Sequence, residues 1–328
     1  MNRDAPAAPP VAPPARDDPY RIRWLPVAAV GLVAASALLA GPPLIVFALT
    51  EVMIFALFAT ALNLLLSYSG MVSFGHAVYF GIAAYGVALS ITRLGWPMWA
   101  GILAGPFVSA FFALVFGAFC VQLTAIYAAM LTLACSEVTF AVVFQWFELT
   151  RGESGISGHV PAMLGLAPGV YGLVVLAVTG ASILALWRVV HSPLGLTIRA
   201  VGQNAARAAA LGHSRRTVQL IAFVISGFFA GVAGTLFSVF HGNVFPDYLG
   251  TLITVNGLVM VLLGGLYNFS AGIYGAVLFK ILDNLLAHYF QYWQLVIGLI
   301  LMAVILVSPR GIGGAIQSLA RRLPGGHR

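Results

Sequence analysis

Lys280, Asp283 and Asn284 stand at i, i+3 and i+4 near the middle of an apolar run, a spacing that puts all three on one helix face. A charge held within hydrocarbon costs a few kcal/mol or more, whereas a lysine and an aspartate side by side offset each other. The spacing therefore predicts an internal pair facing protein or water, serving either as a lock between helices or as part of a path for a polar solute. Glu137 poses the same question. It lies within Leu133-Ala134-Cys135-Ser136-Glu137-Val138, among small residues that permit close helix approach. Glu51, Asn63, His76, Gln145 and Asn256 are further polar residues inside or at the ends of apolar runs. His76, set beside glycines, reads as a hydrogen-bonded helix-end residue before it reads as a ligand. The candidates for a translocation path or for buried polar contacts are Asn63, Ser73, His76, Glu137, Asn256, Lys280, Asp283 and Asn284.

Other chemistries lack their residues. No G-x-x-x-x-G-K-[ST] loop is present, so ATP hydrolysis is not expected of this chain and no cofactor is assigned to it. There is no H-E-x-x-H metal cluster and no G-x-S-x-G elbow, and no catalytic residue is assigned. Cys120 and Cys135 both fall in apolar runs and read as core thiols, without a disulfide or metal site. The net charge of +7 is explained by basic residues flanking apolar segments, so nucleic acid is not an expected partner.

These residues must be positioned by membrane helices. Hydrophobic residues make up 61% of the 328 and charged residues 8%, the balance of a polytopic membrane protein rather than of a soluble domain. Apolar runs long enough to span lipid fall at 24–40, 44–67, 78–92, 98–121, 125–147, 169–187, 217–240, 251–267, 271–288 and 292–308. The expected fold is an all-α bundle of about ten transmembrane helices over 24–308, with the 78–92 segment short enough to be partly re-entrant. Residues 1–23, with six prolines between Pro6 and Pro19, read as a disordered tail, and 309–328 as a second tail. Arg3, Arg16, Arg21 and Arg23 precede the first span, and Arg310, Arg321, Arg322 and Arg328 follow the last, which predicts that both termini are cytoplasmic.

Arg188, Arg199, Arg207, Arg215 and Arg216 mark the segment 188–216 as a cytoplasmic loop. Within it Gln203 to Leu211 is alanine-rich, lacks proline and is followed by Gly212, the pattern of a short helix with a glycine C-cap. Its apolar face is too small for lipid or for a core of its own, which predicts docking on another protein.

Two glycine-rich stretches share Gly, Phe and Tyr at the same offsets: Gly70-Met71-Val72-Ser73-Phe74-Gly75-His76-Ala77-Val78-Tyr79, and Gly265-Leu266-Tyr267-Asn268-Phe269-Ser270-Ala271-Gly272-Ile273-Tyr274. If the likeness is one of descent, the halves are related by a parallel duplication. The stretch from Asn63 to Ala77, the segment Leu149-Thr150-Arg151-Gly152-Glu153-Ser154-Gly155-Ile156, and the 188–216 loop followed by Ala222-Phe223-Val224-Ile225-Ser226-Gly227 together resemble the permease subunits of branched-chain amino acid ABC importers. Leu263-Gly264-Gly265 and Gly275-Ala276 match the family's late glycine motif, and Glu137 falls where a family glutamate is usual. The resemblance implies an inner-membrane protein that pairs with a second homologous permease. It also implies cytoplasmic subunits that bind ATP and Mg, and a periplasmic binding protein that delivers substrate. It makes Gln203, Asn204, Ala208, Leu211 and Gly212 part of the loop that couples to the ATPase. The family's loop commonly reads E-N-E-x-A-A-E-A-L-G, and here its acidic places hold Gln203, Ala205 and Ala209. Urea and short-chain amide importers share these motifs. An ion-coupled carrier, with Lys280, Asp283 and Glu137 as a relay, is the reading from another class.

Overall fold

The structure, a computed structural model, describes residues 35–38, 41–266, 268–289, 292, 295–299 and 302. The expected tails lie outside these residues, as does most of the expected first span (24–40) and last span (292–308). Eleven helices are labelled here: α1 (Pro43–Asn63), α2 (Ala77–Thr92), α3 (Met98–Cys120), α4 (Ala125–Gln145), α5 (Phe147–Thr150), α6 (Pro168–Val190), α7 (Pro193–Gln203), α8 (Ala205–Ala210), α9 (Arg215–His241), α10 (Thr251–Gly264) and α11 (Ala271–Tyr289). A two-residue antiparallel ribbon pairs β1 (Ile156–Ser157) with β2 (Asn243–Val244).

Several helix starts are set by proline. Pro43, Pro168 and Pro193 occupy the first turn of α1, α6 and α7, where the missing N–H costs nothing and the fixed φ suits a helix. Among the described residues, five segments are long and apolar enough to cross a membrane: Pro43–Ser69, Met98–Cys120, Ile126–Gln145, Pro168–Val190 and Arg215–His241. They match five of the expected spans; α11 lies over a sixth, 271–288, but is not among the segments apolar enough to cross. The remaining two differ. α2 has 16 residues and α10 has 14, so at 1.5 Å per residue they run roughly 24 and 21 Å, short of the ~30 Å of a bilayer core. Each begins at an interior break in the chain instead of at the bundle's end.

The first and last of the five long segments form the centre. Within them 61% and 67% of the most apolar stretch is buried, against 28% for α3, α4 and α6 at the rim. α9 packs against α2 and α3 through Gly227, Gly231 and Gly234. A Cβ at Gly234 would stand 2.0 Å from the Phe80 carbonyl oxygen, and one at Gly231 2.5 Å from Ser109 Cβ. Small residues are what allow membrane helices to approach this closely. The Ser109 hydroxyl lies in the same seam, 2.9 Å from the carbonyl of Tyr79 and 2.8 Å from that of Gly227.

One end of the bundle is closed by the segment 146–168 and the β ribbon. The Thr150 hydroxyl donates to Val143 and Trp146 carbonyls, and Arg151 turns the chain at φ 64°. His159 is buried there with Nε2 2.8 Å from Ser238 Oγ, and burial pushes its pKa down to about 4. The other end carries α7 and α8. There the chain departs from the expected single helix over 203–211. Gln203 ends α7 and Asn204 is extended (φ −155°), its side-chain oxygen accepting from Arg207 N at 3.0 Å as the N-cap of a separate α8. Asn204 competes for the backbone more effectively as a cap than as a helical residue. The expected stop holds: Gly212 (φ 85°) donates to Ala209 O, and His213 to Ala208 O, a Schellman closure.

Candidate translocation site and coupling face

The interior breaks create the site. α1 runs into a π-helical turn, Leu64–Ser69, which ends at Gly70 in the left-handed region (φ 68°). The chain then rises through 71–76 before α2 starts. On the other side of the bundle, β2 and the 3-10 turn Pro246–Leu249 bring the chain inward from the ribbon end, to where Leu249 packs on Gly81 of α2, and α10 starts there. The first turns of α2 and α10 meet: Ala77 N donates to Thr254 Oγ1 at 2.8 Å. Two partial helices thus bring their positive ends together inside the bundle.

Broken backbone in hydrocarbon must be satisfied by protein, and α4 supplies much of what is needed. Thr132 Oγ1 accepts from Phe74 N at 3.1 Å, and Ser136 Oγ lies 3.4 Å from the Leu249 carbonyl. Next to them Glu137 accepts a hydrogen bond from Thr251 Oγ1 at the start of α10. Glu137 is exposed. His76, fully buried as the residue before α2, has Nε2 3.3 Å from Ser226 Oγ, whose hydroxyl donates to Ala61 O at 2.5 Å. It is packed between the rings of Phe58 and Tyr79, so it is a helix-end core residue. Ser73 is fully buried in the same loop, and its hydroxyl has no hydrogen-bond partner among the described residues. Asn256 is half-buried on α10.

Two other polar groups are tied into the core elsewhere. Asn63 Nδ2 donates to Asn268 O at 2.9 Å and its Oδ1 accepts from Ser67 Oγ, joining the break after α1 to the break before α11. Both breaks pass through a glycine at positive φ, Gly70 and Gly265. Lys280 is buried, and its nearest partner is Glu51 of α1 at 2.9 Å; Asp283, the partner expected from spacing, is second at 3.5 Å. The ammonium also lies 4.3 Å from the centre of the Phe55 ring. Asn284 is exposed and outside this cluster.

The α7–α8 segment is in direct contact with the first break. A Cβ on Gly202 would meet the Tyr68 carbonyl oxygen at 2.5 Å, and one on Gly70 would meet the Gly202 carbonyl oxygen at 3.2 Å. The Arg199 guanidinium sits 4.9 Å from the centre of the Tyr68 ring. Outward, Gln203, Asn204, Leu211 and Gly212 are exposed, Leu211 to 77%, while Ala208 is buried.

The structure therefore brings Ser73, His76, Glu137 and Asn256 near the meeting of α2 and α10, and holds Lys280 and Asp283 apart on the α1–α11 seam. Sequence reasoning missed Thr132 and Thr254, which bond the broken backbone, Thr251, which bonds Glu137, and Ser226, which bonds His76 and the Ala61 carbonyl. Their signal was only a hydroxyl in an apolar run, shared with many helix-bonded residues such as Thr60, which donates to its own Ala56 O.

A family model described as "Branched-chain amino acid transport system / permease component" matches residues 44–306. The chain is 27% identical over 290 residues to the high-affinity branched-chain amino acid transport system permease protein LivM of Salmonella typhimurium, a match covering 80% of this chain and 68% of that protein. LivM of Escherichia coli matches with the same identity and coverage. A probable branched-chain amino acid transport permease protein LivH of Methanocaldococcus jannaschii is 30% identical over 138 residues, 39% of this chain and 43% of that one. No solved structure matches the chain. The match over 44–306 takes in the long apolar helices found among the described residues and both interior breaks, so this multi-pass membrane protein belongs to the permease component family of branched-chain amino acid transport systems.

Proposed function

We propose that the chain is a membrane-spanning permease subunit of an ATP-driven, binding-protein-dependent importer of branched-chain and related hydrophobic amino acids, resident in the bacterial inner membrane. In this reading both termini and the 188–216 loop are cytoplasmic, and ATP with its Mg is bound and hydrolysed by separate subunits docked on α7 and α8. A second homologous permease completes the path, and a periplasmic protein delivers the substrate.

The observation that supports it best is the double character of the α7–α8 segment. Its outer side is exposed and apolar enough at Leu211 to receive a partner, while its inner side lies backbone to backbone against Gly70. A displacement of α7 would reach the break before α2 directly through this Gly202–Gly70 backbone contact. Lys280 gives the ion-coupled carrier reading less support, because it already has two carboxylates and an aromatic ring within contact.

The test is uptake of labelled leucine, isoleucine, valine and urea in the parent strain and in a strain lacking this chain, with ATP depletion and an uncoupler as separate controls. Loss of the three amino acids that follows ATP is the expected result. Loss of urea alone would change the substrate, and loss that follows the uncoupler would replace the mechanism.

A further inference from the structure

A carboxylate in the middle of a membrane helix has to be answered by something. Glu137 is the twelfth residue of the 20-residue span Ile126–Gln145, and α4 is a rim helix. Among the described residues no lysine or arginine pairs with it, and its partner is the Thr251 hydroxyl. One hydroxyl uses only part of the acceptor capacity of two carboxylate oxygens. Left against lipid, the group would carry the cost that keeps mid-membrane charges rare.

Its surroundings narrow what answers it. Val138 is 63% exposed beside it, and Leu252 and Val255 are 57% and 40% exposed on the adjoining turn of α10, with Phe74 exposed at 39% from the rising loop. Glu137 is therefore an exposed anionic group tied to the first residue of α10, on a stretch of α4 and α10 whose neighbouring exposed residues are apolar, at the meeting of two partial helices. A ligand that fits carries one compact cation and an aliphatic or aromatic side chain, and needs no second acidic contact from this chain.

We propose that Glu137 accepts the α-ammonium group of the transported amino acid, with Thr251 holding the carboxylate in place and Val138, Leu252 and Val255 receiving the aliphatic side chain. This rests on the importer reading above. The site is open on the side away from the bundle core, so the substrate passes over this face between the chain and the second permease. Thr251 acts through Glu137 and is a positioning residue.

The experiment uses the assembled transporter in proteoliposomes with leucine-loaded binding protein at saturation, measuring labelled leucine uptake and ATP hydrolysis side by side. Glu137→Gln removes a charge-assisted hydrogen bond and should lower uptake roughly ten-fold or more, while ATP hydrolysis stimulated by the binding protein and recovery of the assembled complex stay near parental values. Glu137→Asp should keep more uptake than Glu137→Gln. Thr251→Val, which keeps the carboxylate and loses its donor, should cost several-fold in uptake and be rescued by Thr251→Ser. Parental uptake by Glu137→Gln overturns the proposal. So does failure of the two permeases to assemble in that variant when Thr251→Val transports normally, because Glu137 then answers a cation on the partner chain. If Glu137→Gln is not recovered at all, normal uptake by Thr251→Val overturns the proposal and reduced uptake with intact ATP hydrolysis supports it. Absence of any amino acid uptake by the parental transporter refutes the importer reading itself, and removes the ligand.

Discussion

Replacing Lys280 separates a lock between helices from a local pair on one helix. The ammonium is 2.9 Å from Glu51 and 3.5 Å from Asp283. At an effective dielectric of ~20 these distances correspond to gross attractions of about 6 and 5 kcal/mol, before desolvation is subtracted. The net effect is smaller. Removing one member of a buried pair typically costs ~3–5 kcal/mol, because the charges left behind are unanswered. Here Glu51 and Asp283 would both be left mid-span without their cation, and we expect Lys280→Met to cost ~3–5 kcal/mol. Asp283→Asn leaves the shorter contact intact and should cost under ~1 kcal/mol, with Glu51→Gln between the two.

The order of the three is diagnostic, and so is the cycle. Lys280→Met with Glu51→Gln should be less damaging than the sum of the singles by ~1–2 kcal/mol, whereas Lys280→Met with Asp283→Asn should recover less. The assay is the temperature at which the detergent-purified protein loses monodispersity, run beside substrate uptake. If Asp283→Asn proves as costly as Lys280→Met while Glu51→Gln is silent, the pair is local to α11 and the α1–α11 lock is refuted. If all three abolish uptake with stability unchanged, the cluster belongs to the transport path instead.

Gly202→Val places a branched side chain where even a Cβ is 2.5 Å from the Tyr68 carbonyl; ATP hydrolysis should persist and uptake fall at least several-fold, and a fully coupled variant would remove α7 from the transmission route. Gly234→Ala drives a Cβ to 2.0 Å from the Phe80 carbonyl oxygen and should cost ~1–3 kcal/mol of stability. Gly180→Ala on α6, with nothing within 4 Å, should be neutral or stabilise by up to ~1 kcal/mol, and equal thermal losses in the two would refute the close-packing account. His159, whose folded pKa of about 4 lies below its ordinary 6.5, makes the unfolded chain the better proton binder between those values. Stability should therefore be complete above pH 6.5 and decline as pH falls towards 4, by at most ~3 kcal/mol after screening near the loop surface. His159→Gln should flatten that pH profile, and an unchanged profile would exclude the group as its source.

The spans were legible because lipid imposes a coarse rule: long apolar runs bounded by proline or glycine become helices, and Pro43 and Pro168 stand at the starts of two of them. Depth was legible only in part: 78–92 was visibly too short for a full span, whereas 251–267 read as one, because hydropathy reports that a segment is apolar without reporting where in the bilayer it begins. α2 begins inside because hydroxyls from other helices satisfy the broken backbone before it, Thr254 for Ala77 and Thr132 for Phe74. Those partners lie 177 and 58 residues away, beyond the reach of any local pattern. The same limit hid Glu51 from Lys280, since helical spacing ranks only neighbours on the same helix. Asn204 is different: its preference for caps over helix interiors was available in the sequence, and the expected helix overran it.

Partners reaching across the fold distinguish several of these polar residues, and the sequence does not carry them. Asn63 and Lys280 stood with Glu137 as polar residues in apolar runs, and each has a partner from a distant part of the chain; His76, read from the sequence as a helix-end residue, bonds Ser226 through Nε2 while its buried Nδ1 has no partner among the described residues. Glu137 has one hydroxyl and an open, apolar rim. A fold that spends two interrupted helices and several hydroxyl caps on one level of the membrane, then leaves a carboxylate uncovered there, has arranged its interior so that the last partner arrives from outside the chain.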